Sequence, residues 1–177
     1  VSDVDLDARV ALVKPAGSVR ADASDVAMHQ AKNDIDPTAA AYFSWQWNMR
    51  DISAPRAWAA GKLGSQRVRV AILDSGIDYD AIDLNGLVDL SRSVSFSLSD
   101  DSLTAKYFPT RNPITDYNGH GTNVASQVSS NAIVFAGVTA HTTLMGVKVL
   151  GADGSGYTAD VLNGILYAAD NGADVIA

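Results

Sequence analysis

Hydrophobic positions along this chain change their spacing several times, and the changes mark its elements. Val68–Leu73 is an apolar run broken only by Arg69, and Thr143–Leu150 is a second, carrying Leu144, Val147 and Val149. Runs of this length between polar residues predict buried strands. Asp174-Val175-Ile176-Ala177 opens a third. Thr122–Ser129, with small residues on one side, predicts a helix. Thr158–Asn171 predicts a longer one, with Val161, Leu162, Ile165, Leu166 and Ala169 forming one buried stripe. Thr158 suits its N-cap, Asp160 suits the positive end of its dipole, and Asn171-Gly172 can end it. Ser53–Gly61 predicts a short helix capped by Ser53, with Pro55 in its first turn and Gly61 as its stop. Strands alternating with helices predict a three-layer, doubly wound, mostly parallel α/β fold. In such sheets, reactive side chains gather beyond the carboxyl ends of the strands. Asp74 stands there, directly after Val68–Leu73.

Residues 1–40 differ in character. They hold Asp3, Asp5, Asp7, Asp22, Asp25, Asp34 and Asp36 with little periodicity, and Val10-Ala11-Leu12-Val13 predicts one short strand. Two segments are therefore expected: an N-terminal arm over 1–40 and a folded domain over 41–177. The aromatic cluster Tyr42–Met49 is expected in the core. With 47% apolar residues there is material for a sizeable core, yet no run reaches the about 18 residues of a membrane helix. The net charge is −7 and every one of the 20 acidic residues is Asp, which argues against nucleic acid as a partner. Cysteine is absent, which removes disulfides, thiolate metal sites and a thiol nucleophile. The sequence opens at Val1 without a signal-peptide pattern and stops at Ala177, so truncation at both ends is expected.

Two local patterns carry the chemistry. One is Val68-Arg69-Val70-Ala71-Ile72-Leu73-Asp74-Ser75-Gly76-Ile77-Asp78; the other is Asp116-Tyr117-Asn118-Gly119-His120-Gly121-Thr122-Asn123-Val124-Ala125. A serine hydroxyl needs a neighbouring base, and imidazole titrates near neutral pH. The imidazole in turn needs a carboxylate that fixes its tautomer and stabilises its cation. Asp74 on a rigid strand end and His120 between glycines fit the last two parts.

These patterns resemble the subtilisin-like serine proteases (subtilases), whose triad runs Asp, His, Ser along the chain. The resemblance covers about residues 45–177, the N-terminal half of a catalytic domain. It implies a serine endopeptidase acting on polypeptides, with Asp74 and His120 here and the Ser beyond Ala177. It also implies a secreted or cell-envelope location and an inhibitory propeptide, of which residues 1–40 would be the tail. A third match, Val147-Lys148-Val149-Leu150-Gly151-Ala152-Asp153-Gly154-Ser155-Gly156-Tyr157, resembles the family's cleft-lining strand and loop. There Gly154, Ser155 and Gly156 would pair with extended peptide, and Leu150 and Val161 would line an apolar pocket. His29 and His141 have no such context and read as structural.

Where the family has a second His and a Gly in the histidine motif, this chain has Asn123 and Ser126. Ser129-Ser130-Asn131-Ala132-Ile133-Val134 looks shorter than the loop that builds a calcium site in secreted bacterial members, although Asp83 matches a calcium-ligand position. Calcium is the one cofactor expected, as a structural ion. Two rival readings remain. One is a non-catalytic subtilase-like domain that binds peptide. The other is an unrelated α/β enzyme using Asp74 with Asp78 to hold a metal, which explains neither the His120 pattern nor the Gly154–Tyr157 loop. Without its nucleophile, the 177-residue chain is expected to be inactive by itself.

Overall fold

A computed structural model describes residues 7–12 and 35–177. In chain order its elements are β1 (Arg9–Ala11), α1 (Trp47–Asp51), α2 (Ala54–Ala59), β2 (Arg69–Asp74), β3 (Val94–Ser95), α3 (Leu98–Tyr107), α4 (His120–Val128), β4 (Thr143–Lys148), β5 (Ser155–Tyr157), α5 (Thr158–Asp170) and β6 (Val175–Ile176). Strands in the order β3-β4-β2-β6 form a parallel sheet, and β1 pairs with β5 in a separate antiparallel ribbon. The two longer apolar runs thus become the central strands β2 and β4, as their composition requires, and the third forms the edge strand β6.

Alternation along β2 divides the core in two. Val70 and Ile72 join Ile77, Leu84, Ile114, Ala125 and Leu144 on one face, beneath α4. Ala71 joins Met145, Val147, Val149, Leu150 and Ala168 on the other, beneath α5. With helices on both faces the sheet is the middle of three layers. A third cluster joins Met49, Ala54 and Trp58 to Ala132 and Ala136. Ile35 and Ala40 pack into it, so residues 35–40 belong to the same body as the helices that follow them.

The structure corrects several expectations. In α5 the buried positions are Gly164 and Ala168, with Val161 and Tyr167 half-buried, while Leu162, Ile165 and Leu166 face outward. Small residues decide this: a Cβ on Gly164 would stand 2.8 Å from a Val149 methyl, so the helix approaches the sheet on its small side. Nor does Thr158 cap the helix. Its N-cap is Tyr157, which makes no side-chain cap bond. Ser53 stands at the N-cap of α2 but in the left-handed region, φ 60°, and its hydroxyl makes no cap bond. Trp45 and Trp47 are exposed, whereas Trp58 and Met49 fill the core.

Helix α3 escapes hydrophobic periodicity because its inward side is polar. Only Asp100 and Thr104 are buried in it. Asp100 pairs with the fully buried Lys148 of β4 at 2.7 Å, and the Thr104 hydroxyl bonds the Asp100 carbonyl and the Tyr117 phenol.

Candidate active site

The parallel register sets Asp74, at the carboxyl end of β2, opposite Lys148, at the end of β4. Past Asp74 the chain turns at Gly76, whose φ of +112° disfavours any residue with a Cβ. Asp74 Oδ1 accepts the Ser75 N–H at 2.6 Å, and both carboxylate oxygens lie 2.9 Å from Nδ1 of His120. The Asp74 side chain is 10% exposed and that of His120 33%, so the carboxylate sits inside and the imidazole at the surface of the cleft. With Nδ1 held by the carboxylate, the ring's other nitrogen is the one free to exchange a proton with a reacting group.

His120 is the first residue of α4, after Gly119 in the left-handed region. Asp116 builds the turn that delivers it. Its carboxylate accepts the N–H groups of Asn118, Gly119 and Thr122 at 2.9 Å each, with the hydroxyls of Thr122 at 2.6 Å and Ser75 at 2.9 Å. The Ser75 hydroxyl also accepts the Gly121 N–H at 3.0 Å. One carboxylate therefore ties the Asp74 loop to the His120 turn. Burial opposes its ionisation, but the bonds from Thr122, Gly119 and Asn118 together hold its pKa below the ordinary carboxylate value. Lys148 braces the same turn by donating to the Thr115 carbonyl at 2.8 Å and lying 4.9 Å from the Tyr117 ring centroid.

Asp116 and Lys148 were not among the residues singled out from the sequence, although both left signals. Asp116 begins an Asx-type turn of Asp-Tyr-Asn-Gly, and Lys148 is a lone cation inside a buried strand.

Beside the Asp–His pair runs β5. Val149 and Leu150 donate to the Asp74 carbonyl at 2.9 and 3.2 Å, and the Asn118 side chain donates to the Ala152 carbonyl at 3.0 Å, so the β5 loop is fixed to both parts of the site. Its edge is paired with the chain's own β1. Arg9, Val10 and Ala11 oppose Tyr157, Gly156 and Ser155, and the Leu12 N–H donates to the Gly154 carbonyl at 2.8 Å. Val10 and Leu12 lie against the cluster that contains Leu150 and Val161. Upstream, the Ala8 carbonyl accepts the Thr158 N–H and the Asp7 carboxylate the Ala159 N–H, each at 2.9 Å, capping α5 where the helix has no side-chain cap of its own. Leu150 is thus tied to Asp74 and Gly154 lies against Asn118 in the turn before His120, while Ser155, Gly156 and Val161 gather where β1 docks.

Residues 65–177 match the sequence profile of the Subtilase family. The chain belongs to this family. It is 35% identical over 125 residues to the minor extracellular protease Vpr of Bacillus subtilis, covering 71% of this chain and 15% of that one. It is 34% identical over 143 residues to a thermophilic serine proteinase of Bacillus sp. strain AK1, covering 79% and 32%. To the major intracellular serine protease of B. subtilis it is 36% identical over 129 residues, covering 71% and 37%. The match spans well under half of each of these relatives.

In this subtilase, Asp83 does not fit a calcium site. Its two oxygen atoms accept the N–H groups of Ile133, Val134 and Phe135 at 2.8, 3.0 and 2.9 Å, so a cation there would face the positive ends of three dipoles. The carboxylate anchors the loop directly. Asp78 pairs with Arg111 at 2.9 Å rather than sharing a ligand site with Asp74, and among the described residues no three His, Cys, Asp or Glu side chains are grouped to hold a metal. Asn123 and Ser126 are bonded within α4, Asn123 to Gln127 and the Ser126 hydroxyl to the Asn123 carbonyl. His141 lies away from the site, its N–H on the Leu63 carbonyl. His29 lies outside the described residues. Among those residues, no helix is long and apolar enough to cross a membrane.

Proposed function

We propose that this chain is part of a serine endopeptidase in which Asp74 and His120 serve a Ser supplied by residues that follow Ala177. The observation that carries this reading is the Asp74 carboxylate, buried and 2.9 Å from Nδ1 of a half-exposed His120, beside an edge that already holds an extended peptide. The other imidazole nitrogen takes the serine proton as the hydroxyl attacks the scissile carbonyl, and returns it to the leaving amine. Asp74 stabilises the imidazolium formed in between. A water then repeats the sequence on the acyl-enzyme.

Substrate adds a strand to β5. Main-chain bonds at Gly154 and Gly156 hold it, and the apolar surface around Leu150 and Val161 takes its alternate side chains. Residues 7–12 occupy that edge as a product-like segment of the chain itself, the behaviour of a propeptide tail. Relatives named for extracellular and for intracellular proteases both occur at similar identity, and action outside the cell is part of this proposal.

The test is labelling by a fluorophosphonate probe. The protein extended past Ala177 is expected to label. Its His120→Ala variant and residues 1–177 alone are expected not to, since removing one member of such a unit removes nearly all of its effect. Labelling of the 177-residue chain would place the nucleophile elsewhere. An extended protein that binds peptide but never labels would make this a peptide-binding domain.

A further inference from the structure

The β5 edge does more than offer main-chain bonds. Arg9, opposite Tyr157, sends its side chain diagonally past Ala11 toward Ser155 and Asp153, and the small methyl of Ala11 leaves that path open. The guanidinium lies 2.6 Å from Asp153 Oδ2, and its Nε donates to the Ser155 hydroxyl at 3.0 Å. The polarity of this seat is fixed by its own bonds. Asp153 Oδ1 accepts the Ser155 N–H at 2.9 Å and the Ser155 hydroxyl at 2.6 Å. The hydroxyl hydrogen is thereby committed to Asp153, leaving Ser155 Oγ as an acceptor, and Asp153 Oδ2 is left facing outward. The Ser155 hydroxyl, the Ser155 N–H and Arg9 hold the Asp153 pKa below the ordinary carboxylate value. The seat therefore presents two acceptors, one of them charged, and no donor. It matches a guanidinium, which is a fork of donors, matches an ammonium less fully, and repels a carboxylate.

We infer that Asp153 and Ser155 form a cation-selecting subsite, which favours a basic side chain at the position of the bound strand that lies opposite Tyr157. The inference rests on the reading of β5 as the peptide-binding edge. The order of preference is Arg, then Lys, then Gln, with Glu last. Val10 and Leu12 supply the apolar contacts on the other side of the strand, so the basic residue adds selection to a strand already held. The side chains of Arg9 and Asp153 are 64% and 62% exposed, and an ion pair this open supports a few-fold effect that weakens with salt.

Two measurements on the protein extended past Ala177 test this. The first needs no catalysis: amide hydrogen exchange of Leu12 in Arg9→Gln, Asp153→Asn and the double variant. Each single change is expected to speed exchange about threefold in low salt, the double change no more than either single, and the differences are expected to shrink at high salt. Unchanged exchange in the single variants, or additive effects in the double, would overturn the subsite. The second compares hydrolysis of two peptides that differ only in Arg or Gln at this position. A kcat/KM ratio of about three that falls toward one in Asp153→Asn is expected. Equal turnover of the two peptides would overturn the subsite and leave the peptidase standing. Turnover of neither would count against the peptidase, and the exchange cycle would still decide the subsite.

Discussion

Gly121 rests so closely on Gly76 that a Cβ built on Gly121 would stand 2.2 Å from the Gly76 carbonyl oxygen and 3.1 Å from the Asp74 carboxylate. The first turn of α4 can reach the end of β2 only because position 121 has no side chain. Gly121→Ala must push α4 away from Asp74. It is expected to cut kcat/KM of the extended enzyme by about 10²-fold, the size that roughly 1 Å of misplacement costs, with a smaller loss of thermal stability. Parallel measurement of kcat/KM and Tm checks this; an alanine variant with wild-type turnover would show that the approach is not needed for catalysis.

Asp116 offers a pH signature. Its folded pKa is lowered, so the stabilisation it gives is fully present above the unfolded carboxylate value of about 3.9 and is lost as pH falls through the folded value. Asp116→Asn is expected to cost roughly 1.5–3 kcal/mol at pH 7, the range for hydrogen bonds to a charged group, and progressively less below about pH 4. Urea titrations at pH 7 and near pH 3 compare the two proteins. A stability gap that stays constant across this range would contradict the assignment.

Lys148 and Asp100 form a buried pair, so breaking one side leaves the other charge uncompensated. Lys148→Met is expected to destabilise the protein by about 3–5 kcal/mol, and adding Asp100→Leu to recover part of that loss. Denaturation midpoints of the single and double variants provide the comparison, and a double variant weaker than the single would refute the pairing argument.

The Asp83 anchor predicts a loop independent of calcium. Asp83→Ala frees three N–H groups and is expected to lower Tm by roughly 6 °C or more, at about 1–3 kcal/mol for each donor left unpaired and roughly 2–4 °C per kcal/mol. A chelator is expected to leave amide exchange of Ile133, Val134 and Phe135 unchanged. Faster exchange of these amides on chelation would restore a metal to the loop.

The strands and the reactive pair were readable because both are local. Val68–Leu73 and Thr143–Leu150 are apolar runs that only a buried strand explains, and Asp74 and His120 stand in patterns that constrain several neighbours at once. What escaped depends on distant partners. Helix α3 is held by Asp100 on Lys148, 48 positions away, and no hydrophobic stripe reports such a contact. The α5 stripe failed because Gly164 and Ala168 win the sheet-facing side by being small. The docking of β1 on β5 joins positions 146 apart, which periodicity cannot pair. For Asp83, residue identity suggested a cation, while the answer lay in the three N–H groups brought to it by a later loop.

The central claim is that Asp74 fixes the tautomer of His120 and stabilises its cation during peptide hydrolysis. Steady-state kinetics of Asp74→Asn in the extended protein test it most directly. An amide at this place keeps the shape but presents a donor and loses the charge. The account predicts a fall in kcat of roughly 10⁴-fold at neutral pH, with Tm within a few degrees of the parent. An Asp74→Asn enzyme that keeps turnover within tenfold of the parent, while His120→Ala abolishes it, would contradict the account.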